Sequence, residues 1–316
     1  MKFRSVGKSG LQVSVVGLGC NQFGWGLDLE GSRAVIHAAL DAGITLFDTA
    51  DIYGGAGASE AIMGQIFGER RKDIVLATKF GMQMDKEGVL KGGSRRYIMA
   101  AVEASLKRLQ TDWIDLYQLH TPDPLTPMDE TLRALDDLVT QGKVRYVGCS
   151  NVPAWQVADA AWIAKTRGFS GFISCQDEYS IVVRKLEAEL KPAAEHYGLG
   201  ILPYFPLAAG LLTGKYKKGA PLPEGSRLTV SKSYGGYFDH YLTDAMLETA
   251  GKLEDFAQAR GHSLLDLAFS WLLAQKVIPS VIAGATKAAQ VEANVKAAGW
   301  ELTAEDLAEI DTIAPR

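Results

Sequence analysis

Cysteine is scarce in this chain. Cys20, Cys149 and Cys175 are the only three among 316 residues. An odd, sparse set without Cys-x-x-Cys spacing supplies neither a disulfide framework nor a zinc site. Each thiol stands beside an apolar stretch, so all three are expected to be buried. No uninterrupted apolar run is long enough to span a bilayer. The opening Met1-Lys2-Phe3-Arg4-Ser5 is not followed by an apolar signal region. Net charge is only −4, which argues against a general nucleic-acid surface but leaves room for a local basic pocket for one phosphate. No low-complexity tract, repeat linker or domain boundary interrupts the chain, and no His/Cys/Asp cluster has metal-ligand spacing. These absences lead to a soluble protein of a reducing cytoplasm. It is expected to be one domain over 1–316, with no metal, membrane or nucleic-acid partner. Oligomeric state is open.

What the sequence does contain is a repeated alternation. Lys2 to Ser14 carries Gly7-Lys8-Ser9-Gly10 between two short alternating stretches and reads as a β-hairpin. Strands follow at 15–19, 44–47, 74–78, 114–119, 144–148, 171–175, 200–204 and 277–283, with helices between them at 32–42, 59–67, 94–109, 128–140, 153–165, 186–197 and 264–274. A helix at 286–297 and a tail helix at 303–313, opened by Thr303-x-x-Asp306, complete the chain. Eight strands separated by helices are the pattern of a parallel α/β sheet, and eight such units favour closure into a (β/α)8 TIM barrel. The connections 83–93 and 205–243 break the rhythm, and long connections of this kind are usually functional.

Three of the strands end in polar groups. The run 44–47 enters Asp48-Thr49-Ala50-Asp51-Ile52-Tyr53-Gly54, the run 74–78 delivers Lys79, and 114–119 delivers His120. In a parallel barrel the carboxyl ends of the strands carry the chemistry. Each residue alone has an ordinary reading: a loop-capping Asp48, a half-buried Tyr53, a solvated Lys79, a structural His120. Together, at the ends of neighbouring strands, they form one candidate site.

With these motifs on the page, the chain resembles the aldo-keto reductases over nearly its whole length. It is most similar to the bacterial branch related to potassium-channel β-subunits. Asp48-Thr49-Ala50-Asp51-x-Tyr53-Gly54, Ala77-Thr78-Lys79 and Leu116-Tyr117-Gln118-Leu119-His120 match the family's catalytic segments. Gly148-Cys149-Ser150-Asn151 and Gln176 match its nicotinamide-carboxamide pocket, with Tyr204 at the position of its stacking aromatic. The segment 206–215 looks like the pyrophosphate loop, implying contacts from Phe205, Pro206, Leu207, Ala209, Gly210, Leu211, Gly214 and Lys215, with Arg227 adding charge. Gly284, Thr286, Lys287, Gln290 and Asn294 match the adenosine-phosphate site. There are departures. Phe205 stands where many relatives have serine, Ala293 where many have an acid, and neither Thr286 nor Lys287 is the arginine many members use.

The resemblance implies an NADP(H)-dependent enzyme that reduces small aldehydes or ketones, with Asp48, Tyr53, Lys79 and His120 catalytic. A free phenol has a pKa of about 10, and a neighbouring ammonium such as Lys79 favours the phenolate and lowers that value. Tyr53 would then donate the proton, Asp48 would hold Lys79, and His120 would bind the substrate oxygen. Trp25 and Phe80 are candidates for the substrate pocket, and Trp113 is explained equally well as packing. Two competing readings use the same residues. One is a nicotinamide-binding regulatory or scaffolding subunit with slow turnover. The other makes Lys79 a Schiff-base lysine, a reading that gives Tyr53 and the carboxamide pocket nothing to do.

Overall fold

The computed structural model describes residues 1–229 and 236–315. Residues 230–235, inside the long connection singled out above, lie outside the described set. A two-stranded antiparallel hairpin, β1 (Phe3–Ser5) and β2 (Gln12–Ser14), opens the chain. Eight parallel strands then line up side by side: β3 (Val16–Gly19), β4 (Leu46–Asp48), β5 (Val75–Phe80), β6 (Ile114–Leu119), β7 (Val144–Ser150), β8 (Phe172–Glu178), β9 (Gly200–Tyr204) and β10 (Val281–Gly284). Their order in space is β10-β3-β4-β5-β6-β7-β8-β9. The outer two meet at the remaining gap, where Val277, just ahead of β10, accepts the Ile201 N–H of β9 at 2.8 Å. This is a nearly closed (β/α)8 TIM barrel.

The helices are α1 (Leu29–Asp41), α2 (Tyr53–Ala56), α3 (Ala58–Phe67), α4 (Arg95–Leu109), α5 (Met128–Thr140), α6 (Ala154–Arg167), α7 (Leu190–Tyr197), α8 (Asp244–Gln258), α9 (Leu264–Ala274), α10 (Ala288–Ala297) and α11 (Ala304–Ile313). Helix α5 shows how the sequence builds one. Asp129 and Glu130 occupy its first turn, and Leu132, Leu135 and Leu138 repeat every three residues to bury one face. Helix α11 opens with a capping box in which Thr303 and Asp306 satisfy each other's backbone N–H groups. Among the described residues no helix is long and apolar enough to cross a membrane.

Several boundaries differ from the sequence reading. Helix α1 starts at Leu29, about one turn earlier than expected, because Asp28 caps it by accepting the Gly31 N–H. Strand β10 starts at Val281 rather than Val277. Pro279 has no N–H for a ladder, and Ile278 closes a turn onto Gln275. The expected helix 186–197 is a short 3-10 turn, Lys185–Glu187, followed by α7. Helix α8 was not anticipated. Strands β4 and β5 run on past their expected ends, so Asp48 and Lys79 lie within strands rather than just beyond them, while His120 follows β6.

The hairpin closes the amino end of the barrel. Its Val6 and Val13 join Leu46, Ala77, Leu116, Leu202 and Ile282 in one buried cluster under the strands. The turn is pinned by the Lys8 N–H donating to the Gly198 carbonyl at 2.7 Å. Gly7 has φ +57°, and a Cβ there would lie 2.3 Å from the Gly198 oxygen. Gly7→Ala therefore combines left-handed strain of about 1–2 kcal/mol with a backbone collision. It should lower the thermal midpoint of the protein clearly, while the site at the opposite end keeps its ligand affinity below the transition. A melting curve alongside a binding titration checks both, and an unchanged midpoint would mean the hairpin does not brace the barrel.

Candidate active site

Strand register brings the polar strand ends together. Asp48 lies opposite Ala77 on β5, and Lys79 lies opposite Gln118 on β6. Successive side chains on a strand alternate faces, so Lys79 points into the barrel while Phe80 points away. Lys79 is fully buried. Its ammonium donates to Asp48 Oδ2 at 2.6 Å, to the Thr49 carbonyl at 2.9 Å and to the Tyr53 hydroxyl at 3.3 Å. The Tyr53 ring meets His120 edge-on with centroids 5.6 Å apart. All four candidate catalytic residues thus share one cluster at the carboxyl end of the barrel. His120 Nδ1 is buried without a partner in the protein.

Electrostatics assign a state to each ring. Burial pushes the Tyr53 phenol above its ordinary value, and Lys79 pulls it down without cancelling that rise. The expectation that Lys79 sets a lowered value is corrected here, because burial of the phenol, with the nearby Asp48 charge, outweighs the pull of the lysine. Burial works to lower Lys79, but Asp48 and Tyr53 carry it above the usual ammonium value. Burial, then the nearby Lys79 charge, lowers His120 to about 3. The cluster therefore holds a charged lysine, a protonated phenol and a neutral imidazole at neutral pH. Beside it, burial and the buried Glu60 carboxylate raise Asp51 to about 7, and the Tyr97 hydroxyl donates to it at 3.1 Å.

A second group of candidates adjoins the first. Ser150 and Gln176 are register partners on β7 and β8. Asn151, held at φ +59°, receives the Tyr204 hydroxyl at Oδ1 (2.9 Å) and donates from Nδ2 to the His120 carbonyl and to Ser150 Oγ, both at 3.0 Å. Gln176 Nε2 donates to Asp48 Oδ1 at 2.8 Å, as does Gln118 Nε2 at 3.2 Å. Gln118 was not among the residues singled out from sequence. It reads as the interior of an apolar strand, and only its register opposite Lys79 reveals it.

The segment after β9 is conformationally strained. Phe205, Ala208 and Ala209 all have positive φ without being glycine, next to Gly210 at φ +101°. Such strain costs about 1–3 kcal/mol per residue and clusters at ligand sites. Pro206, Leu207 and Leu211 belong to this turn, which ends at Gly214 with φ +78°. The Lys215 ammonium comes within 3.3 Å of where a Gly210 Cβ would stand, so glycine leaves it room. Arg227 packs over Phe205 and Phe238 at about 6.0 and 5.9 Å from their centroids.

At the neighbouring strand end, Gly284 closes β10 and Lys287 occupies the N-cap of α10. The Thr286 N–H and hydroxyl both donate to Gln290 Oε1, at 2.7 and 3.1 Å. Thr286 is therefore already engaged, which the sequence did not show. Asn294 is buried on α10.

The pocket residues separate. Phe80 is fully buried and packed against Tyr117 in a tilted ring pair with centroids 4.6 Å apart, so it belongs to the core and not to a pocket wall. Trp113 lies at the amino end of β6, under Arg71 at 4.5 Å, and is packing. Trp25 is exposed on a loop that abuts the Tyr53 turn, since a Cβ on Gly54 would meet the Phe23 carbonyl at 2.6 Å. The three cysteines are buried and free. Among the described residues no group of three His, Cys, Asp or Glu side chains is arranged to hold a metal ion.

Comparison with known proteins bears on this geometry. The model of the Aldo/keto reductase family matches residues 15–315. The chain is 38% identical to a probable voltage-gated potassium channel subunit beta of Oryza sativa subsp. japonica, over 94% of this chain and 91% of that protein. It is 36% identical to the L-glyceraldehyde 3-phosphate reductase of Escherichia coli O157:H7 (98% and 92% covered). It is also 36% identical to the aldo-keto reductase YhdN of Bacillus subtilis (99% and 93% covered).

The state of His120 is directly observable. The folded value of about 3 lies below the unfolded one of about 6.5. Its contribution to stability is thus present above pH 6.5 and lost as pH falls from there toward 3. Its NMR ring signals in the folded protein should stay fixed from pH 8 to pH 5. A midpoint between 6 and 7 would show that the site is wet or that Lys79 is neutral.

Proposed function

The chain belongs to the aldo/keto reductase family, and from that premise we propose that it is an NADP(H)-dependent oxidoreductase. It reduces small aldehydes or ketones to alcohols, with Tyr53 as proton donor and the whole chain, 1–316, acting as one catalytic domain. The observation that carries this is the fully buried Lys79, bonded at once to Asp48 and to Tyr53, beside a His120 whose Nδ1 has no protein partner. A reducing cytoplasm is the proposed setting. Cys149 and Cys175, whose sulfurs are hydrogen-bonded at 3.8 Å, are free thiols and not a disulfide.

The donor set suits a nicotinamide. Ser150, Asn151 and Gln176 gather hydroxyl and amide groups within reach of one carboxamide, adjacent to Tyr53 and His120. The strained turn 205–210, Lys215, and Lys287 at the start of α10 offer close backbone approach and positive charge to phosphates. When bound, the nicotinamide supplies the hydride. The protein's part is positioning and proton transfer. Neutral His120 holds the substrate oxygen near the Tyr53 hydroxyl. Tyr53 is protonated at neutral pH and gives its proton to the developing alkoxide, and Lys79 stabilises the phenolate that remains. Asp48 keeps Lys79 charged and aimed. In alcohol oxidation the proton moves the other way, from alcohol to phenolate.

The similarity to plant potassium-channel β-subunits favours a second reading, a nicotinamide-binding regulatory subunit with slow turnover. Sustained reduction of a panel of aldehydes over many turnovers separates the two.

Tyr53→Phe removes only the proton donor. Reduction should fall roughly 10²- to 10⁴-fold, with NADPH affinity nearly unchanged in a fluorescence titration. Near-normal turnover would exclude Tyr53 from the chemistry. At the other end of the site, Lys287→Ala should weaken NADPH by about tenfold or more, the worth of a charge-assisted contact, and leave NADH nearly unaffected. Thr286 contributes only if Gln290 turns away from it, so Thr286→Val should cost less. An equal loss of both cofactors in parallel titrations would show that Lys287 serves something other than the 2′-phosphate.

A further inference from the structure

Asp48 is the anchor of Lys79, and its second oxygen is held twice. Oδ2 takes the ammonium, while Oδ1 accepts both Gln176 at 2.8 Å and Gln118 at 3.2 Å. A carboxylate only accepts, so each glutamine must turn its NH₂ side toward Asp48. For Gln118 this has a cost. Its Oε1 is left buried with no partner, in a side chain with no exposed surface. A methionine or leucine there would spare the core that orphaned oxygen.

The surroundings are shaped to accept Gln118. Its register partner on β7 is Gly148. A Cβ at Gly148 would stand 3.2 Å from Gln118 Cγ and 2.4 Å from Ser174 Oγ. Gln118 is also the residue directly opposite Lys79. The two donors on Oδ1 differ in what else they must do. Gln176 sits at the edge of the proposed carboxamide pocket, next to Ser150 and with its backbone carbonyl bonded to Asn151 N–H at 3.1 Å. Gln118 is deep in the barrel, with no exposed surface.

We propose that Gln118 is a positioning residue that keeps Asp48, and through it Lys79, in place when Gln176 is drawn toward bound cofactor. The inference rests on the nicotinamide reading above and adds a division of labour to it. Gln118 holds the ion pair permanently, and Gln176 is shared between Asp48 and the ligand. Without Gln118, moving Gln176 would strip Oδ1 of its last donor, so binding would carry the penalty of an unsatisfied buried carboxylate oxygen.

The test is a double-mutant cycle on NADPH affinity with Gln118→Met and Gln176→Met, read by fluorescence titration. Gln118→Met should weaken NADPH about tenfold or more in the otherwise wild-type protein. In the Gln176→Met background the same change should cost less than about twofold, because no donor is left to compete for. In turnover, Gln118→Met should lower kcat with KM for the carbonyl unchanged. Thermal melts of the cofactor-free proteins, and Gln118→Leu as a second apolar variant, separate this from misfolding. Equal losses in both backgrounds, or none in either, overturn the proposal while leaving the oxidoreductase reading intact. A folded wild type that binds neither NADPH nor NADP⁺ overturns both.

Discussion

A buried ammonium is the constraint on which the site depends. Lys79 has no exposed surface, and an unpaired charge in that position would cost several kcal/mol. Asp48 at 2.6 Å, the Thr49 carbonyl and the Tyr53 hydroxyl replace its water. Because all three come from one stretch at the end of β4, the pairing of β4 with β5 fixes them together. The Asp51 N–H reinforces this by donating to the Lys79 carbonyl at 3.1 Å. Removing either partner of a buried pair typically costs about 3–5 kcal/mol. The fold thus cannot lose the charge arrangement without loosening the strands that carry it.

Burial, together with this pair, sets the protonation states on which the proposed chemistry rests. Burial keeps the Tyr53 phenol protonated, and the Lys79 charge adds to burial in keeping His120 neutral. Lys79 opposes the rise of Tyr53 and would steady the phenolate once its proton is gone. A group that resists ionising at rest and is supported when it ionises suits a proton donor. The barrel's amino end is filled by Val6, Val13 and the strand residues above them, leaving the carboxyl end for ligands.

Much of this was legible in the sequence because it rests on local pattern. Eight apolar runs alternating with amphipathic helices specified the barrel, and polar residues at the ends of three runs marked Asp48, Tyr53, Lys79 and His120. What was not legible depends on three-dimensional placement. Helix α8 buries Ala250, Leu253, Phe256 and Ala257, a stripe no weaker than that of α6, but it follows directly on the long connection after β9 and has no strand of its own to pair with. Gln118 looks like strand filling until β5 and β6 pair. Phe80 adjoins Lys79 in sequence but faces the core, and the upward shift of Tyr53 follows from burial that no motif reports. Gln290's hold on Thr286 is likewise a matter of geometry and not of spacing.

The account's central claim is that this cluster serves carbonyl reduction by hydride transfer, and isotope transfer tests it most directly. The protein would be incubated with an excess of aldehyde and NADPH carrying deuterium at the transferable ring position, and the alcohol analysed by mass spectrometry. The account predicts deuterium at the carbinol carbon over many turnovers per protein molecule, with the label retained when the solvent is ordinary water. NADPH that binds tightly yet passes no label to any aldehyde or ketone tried would contradict it and point instead to a cofactor-sensing subunit.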